Sequence, residues 1–141
     1  MKQLLCIGVF CLLASLQVQA QSEGTLLLGA GADALKTDND GIAGKFQIGL
    51  EANYFLRGNL TGTVGLELWS EGDESLVLGS RYYFNRSFLA RVRGLIGAND
   101  LSVGAGITRP IRKNLNIEGL ADFYFDNTDI AFRVGLTYAL F

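Results

Sequence analysis

The stretch Lys45-Phe46-Gln47-Ile48-Gly49-Leu50-Glu51-Ala52-Asn53-Tyr54-Phe55-Leu56 decides the fold. Phe46, Ile48, Leu50, Ala52, Tyr54 and Leu56 share one parity, while Lys45, Gln47, Glu51 and Asn53 share the other. A period of two is that of an extended strand, whereas a helical period of 3.6 would mix the two sets. The last segment repeats the pattern, with Ile130, Phe132, Val134, Leu136, Tyr138 and Leu140 against Arg133, Gly135 and Thr137. Working outward with the same rhythm places eight strands near 25–34, 45–56, 60–69, 75–84, 87–97, 101–111, 115–125 and 130–141. An even count lets an antiparallel sheet close into a barrel with both termini at one end.

The charges indicate which face meets which solvent. The apolar parity carries one charge, Arg109, next to Pro110 at a strand end, where its long stem can snorkel. The other parity carries ten: Asp33, Lys45, Glu51, Glu67, Arg81, Arg91, Arg93, Glu118, Asp122 and Arg133. An ion in hydrocarbon costs several kcal/mol, so a lipid-facing wall must be the apolar one. Five acids and five bases then line the interior, where pairing leaves it nearly neutral. About ten residues per strand at ~3.3 Å each, tilted by ~40°, rise roughly 25 Å, the height of an outer-membrane apolar band.

Residues 1–20 read as a separate object, a cleaved signal peptide. Lys2 supplies the positive start, Leu4 to Leu16 the apolar run, and Val18-Gln19-Ala20 the small-residue cleavage site. Both cysteines, Cys6 and Cys11, fall inside it, so residues 21–141 contain no disulfide, thiol nucleophile or cysteine metal site. Cys11 lies within the apolar run, unlike a lipid-modified cysteine, which follows such a run. The 121 residues from Gln21 onward form one domain with a formal charge of −3 instead of −2, since Lys2 is lost. That balance gives no basic surface for nucleic acid.

The connections alternate in length and charge. Arg57-Gly58-Asn59, Asn85-Arg86 and Arg112-Lys113-Asn114 are short and basic, whereas 36–44, 70–74, 98–100 and 126–129 are mostly longer and acidic. The loop Lys36-Thr37-Asp38-Asn39-Asp40-Gly41 has half the pattern of a calcium loop but lacks its first ligand and its distant glutamate, so it reads as a solvated turn and no metal is expected. A weaker reading lets the loop acids, with Glu71, Asp73 and Glu74, hold divalent cations beside lipopolysaccharide.

Taken together, these residues resemble a small eight-stranded outer-membrane barrel of the OmpA/OmpX type. The resemblance implies periplasmic termini and short turns, outward-facing longer loops, and location in the outer membrane of a Gram-negative bacterium. It also implies contact with outer-membrane lipid and lipopolysaccharide, a monomer, and recognition by the barrel-assembly machinery through a C-terminal aromatic signal. Here that signal corresponds to Val134, Leu136, Tyr138 and Phe141, although Phe141 falls on the parity opposite to the apolar stripe. A bulge near Ala139 would realign it.

Two further features fit a membrane barrel. Tyr54, Phe55, Tyr82, Tyr83, Phe84 and Phe88 flank the short-turn end, and Trp69, Phe123, Tyr124 and Phe125 the loop end, as interfacial girdles do. Eight strands make a lumen just wide enough for side chains to fill, so Lys45, Glu51, Glu67, Arg81, Arg91, Arg93, Glu118, Asp122 and Arg133 are expected to form a salt-bridged plug rather than a gated pore. Gly29, Gly31, Gly49, Gly65, Gly79, Gly104, Gly106 and Gly135 share their parity and leave room for the long side chains opposite.

The sequence contains no histidine, and no cysteine follows residue 20, which disfavours catalysis; no catalytic residue and no cofactor is expected. The rival reading is a soluble, exported lipocalin-like barrel that binds a small apolar ligand. It requires the apolar face inside, burying Phe46, Tyr54, Phe88, Phe123 and Phe132, and leaves the glycines on an outer face that has no need of them. The expected function is a structural, surface-exposed or adhesive outer-membrane barrel, with its lumen closed by charged side chains.

Overall fold

The computed structural model describes residues 23–36, 47–69, 74–126 and 128–140. Residues 1–20, expected to be a signal peptide, together with residues 37–45, Glu71, Asp73, the side chain of Trp69 and Phe141 lie outside the described residues. Eight strands follow in order: β1 (Leu26–Lys36), β2 (Gln47–Arg57), β3 (Leu60–Trp69), β4 (Glu74–Tyr83), β5 (Phe88–Ile96), β6 (Asp100–Arg112), β7 (Leu115–Tyr124) and β8 (Asp129–Ala139). Their boundaries agree with the alternation to within two residues.

Each strand pairs antiparallel with the next, and β1 pairs with β8, so the sheet closes as an up-and-down barrel. Closure gives every strand two neighbours and leaves no edge of unpaired N–H and C=O groups. In the closing seam Gly31 lies opposite Gly135 and Asp33 opposite Arg133.

The short turns are built from their own residues. Asn85 Oδ1 accepts hydrogen bonds from Ser87 N at 2.7 Å and Phe88 N at 2.8 Å, which fixes the β4–β5 connection and leaves Arg86 exposed. At the opposite end Gly97 adopts φ +117°, a conformation that side-chain-bearing residues rarely reach. Pairing shifts by one residue between Pro110 and Arg112, a bulge beside a proline that cannot donate to the ladder.

The core occupies the lumen, and the wall is inverted relative to a soluble protein. Asp33, Glu51, Glu67, Arg81, Arg91, Arg93, Glu118, Asp122 and Arg133 are all buried, while among the described residues 27 large apolar side chains, Leu50, Leu66, Phe88 and Leu136 among them, are exposed on the outside. Tyr54 and Phe132 point outward, opposite to what the soluble rival requires.

Candidate functional site

Inward arginines of β4, β5 and β8 converge in the lumen on a single carboxylate of β2. Glu51 receives all four inward arginines: Arg81 directly, Arg93 at 3.2 Å, Arg91 at 3.4 Å and Arg133 at 3.5 Å. From this hub the pairing spreads in two directions. Towards the turns, Arg81 Nη1 donates to Glu118 Oε2 at 2.9 Å, and Thr137 Oγ1 reaches the same carboxylate at 3.4 Å. Towards the loops, Arg93 and Arg133 both donate to Glu67, Arg133 at 2.7 Å, while Arg133 Nε donates to Asp33 at 2.6 Å across the closing seam. Arg91 grips Asp122 with a two-pronged fork, its Nε at 2.8 Å.

Neutral groups complete the cluster. Gln47 Nε2 donates to Glu67, Arg93 Nη2 donates to Tyr124 OH at 2.8 Å, and Thr63 Oγ1 donates to Asn53 at 2.6 Å. Among the described residues the cluster has five carboxylates and four guanidiniums, so most buried charge is met by opposite charge. Space for it comes from the inward glycines. A Cβ on Gly49 would lie 2.8 Å from Arg133 Nη1, and one on Gly31 would lie 3.0 Å from Arg133 Cδ. A cavity of about 10 Å³ lies beside Glu51, Arg81, Arg91, Glu118 and Arg133, the room of one water molecule.

The lumen changes character at its two ends. Near the short turns Leu27, Phe55, Tyr83, Leu89 and Leu120 form a buried apolar cluster, with the Phe55 and Tyr83 rings 5.4 Å apart. Near the loops Val77, Leu95, Tyr124 and Ala131 form another. This corrects the girdle reading: Phe55, Tyr83 and Tyr124 point inward and are buried. Among the described residues the exposed aromatics are Tyr54, Tyr82, Phe84, Phe88 and Tyr138 towards the turn end and Phe125 and Phe132 towards the loop end, with edge-on contacts Tyr82–Phe84 and Phe123–Phe125, each at 5.2 Å. The signal for this sorting was present in the sequence, since each aromatic doublet puts one ring on each parity.

The C-terminal stripe Val134, Leu136 and Tyr138 faces outward. Pairing of β8 with β1 continues without a shift to Ala139 opposite Leu27, and Leu140 N donates to Leu26 O, so the realigning bulge near Ala139 is not present. Among the described residues no group of three carboxylates is placed to hold a metal ion.

A structure described as a de novo design of transmembrane β-barrels superposes with a TM-score of 0.67 at 20% identity, covering 85% of this chain and 98% of that one. The fold is that of transmembrane β-barrels. The solution NMR structure of the de novo designed barrel TMB2.3 gives a TM-score of 0.66 at 17% identity over 86% of this chain and 98% of the design. A KdgM porin in complex with disordered oligogalacturonate matches at a TM-score of 0.37 and 9% identity over 83% of this chain and 99% of that one, too distant a likeness to bear on function. No protein-family model and no curated protein matches the sequence. These comparisons show the transmembrane-type barrel fold and do not show the OmpA/OmpX group.

Proposed function

We propose that this chain is a small integral barrel of the bacterial outer membrane, with a plugged lumen and a structural, surface-exposed or adhesive role carried by its loops. The observation that supports it is the inversion of the wall: among the described residues ten ionic side chains are buried and 27 large apolar ones are exposed. In water that outer surface far exceeds the apolar patch a monomeric soluble protein tolerates, whereas in hydrocarbon it is the favoured surface. The ion-paired middle and the apolar ends support a closed lumen, because both fill it with side chains.

Cell fractionation, followed by electrophoresis of the detergent-extracted protein with and without boiling, tests the membrane part. Outer-membrane location with a heat-dependent mobility shift is the expected result; a protein soluble without detergent overturns it. Single-channel recording in planar bilayers tests the plug, with no stepwise conductance expected. Steady conductance would replace the plug with a pore.

A further inference from the structure

The two rims of the barrel differ in charge. At the turn end Arg57, Arg86, Arg109, Arg112 and Lys113 are all exposed, and none is held by an ion pair among the described residues. They come from three separate places on the rim: the β2–β3 turn, the β4–β5 turn, and the β6–β7 turn with its approach. Glu23 is the one exposed acid there among the described residues. At the loop end, among the residues whose side chains are described, the exposed or half-buried charges are acids, Glu74, Asp100 and Asp126.

The basic set continues directly from the apolar wall. Tyr54, Tyr82, Phe84 and Phe88 form an exposed aromatic band just inside it. Arg109 stands on the outer face of β6, level with the exposed Ile117, three residues before the turn at Arg112. A cation at that height cannot stay in hydrocarbon, but its stem reaches the phosphate level. Headgroup phosphates, unlike a dissolved anion, lie at the depth where this band ends and the cations begin.

We propose that the turn-end rim is a docking ring for anionic phospholipid headgroups, which concentrates acidic lipid around that end of the barrel and sets its depth. Each arginine fork can take a phosphate, and the ring as a whole adds a surface attraction that falls off within a Debye length. This rests on the membrane reading above.

The test uses the barrel folded into phosphatidylcholine vesicles containing phosphatidylglycerol, with a fluorophore on Asn114→Cys at the turn end. Spin label is carried on either the anionic or the zwitterionic lipid, at equal mole fraction. Quenching by labelled phosphatidylglycerol is expected to exceed quenching by labelled phosphatidylcholine by roughly two-fold or more at low salt. The preference is expected to collapse at high salt and in the variant Arg57→Gln, Arg86→Gln, Arg112→Gln, Lys113→Gln. A fluorophore on Asp126→Cys at the loop end is expected to show no such preference. Equal quenching by the two lipids at Asn114→Cys, or a preference that survives the four substitutions, overturns the ring. The heat-dependent mobility shift is read on the same samples: without it the membrane reading itself fails, and with it only the ring is at stake.

Discussion

Glu51 and Phe55 lie four residues apart on β2 and point into the same lumen, yet their burial is compensated by opposite means. Glu51 is surrounded by four guanidiniums, while Phe55 packs against Tyr83 and three leucines. Buried charge demands particular partners at particular positions; buried apolar surface demands only that volume be filled. The middle of the barrel should thus be brittle and its ends more forgiving.

The largest effect is expected from Glu51→Gln, which keeps the shape but leaves four arginines facing each other around a neutral amide. Loss of a buried ionic partner predicts destabilisation by about 4 kcal/mol, measured by urea titration of the heat-dependent mobility shift. A loss below about 1 kcal/mol would mean that the arginines are satisfied without the hub. Phe55→Ala should cost about 3 kcal/mol by the same assay, since the ring is fully buried and leaves a cavity. A cost equal to that of Glu51→Gln would remove the contrast between middle and end. Leu66→Ala on the outer wall should cost roughly 1–2 kcal/mol, because transfer energy is lost but lipid chains fill the space. A larger cost there would mean that the outer wall is packed by protein instead of lipid.

Alternation alone placed eight strands and put Glu51, Glu67, Arg81, Arg91, Arg93, Glu118, Asp122 and Arg133 on one side of the wall, because a strand with a wet and a dry face leaves little choice of register. Which arginine meets which acid was not legible. Arg133 and Asp33 are 100 residues apart, and Arg81 reaches Glu118 across the lumen, so both contacts depend on how far the strands stagger around the ring. The apolar ends were missed for a different reason. Phe55, Tyr83 and Tyr124 have inward parity in the sequence, and reading each aromatic doublet as part of a girdle set that parity aside.

The β1–β8 seam has a consequence for biogenesis. Apolar residues are dispersed one in two along each of the eight strands, so no isolated strand is greasy enough to enter a bilayer on its own. A lipid-compatible surface comes into being only when Asp33 meets Arg133 and the last open edge disappears. On the membrane reading proposed above, folding and membrane entry are then a single event, and a lesion in the seam is expected to block both together.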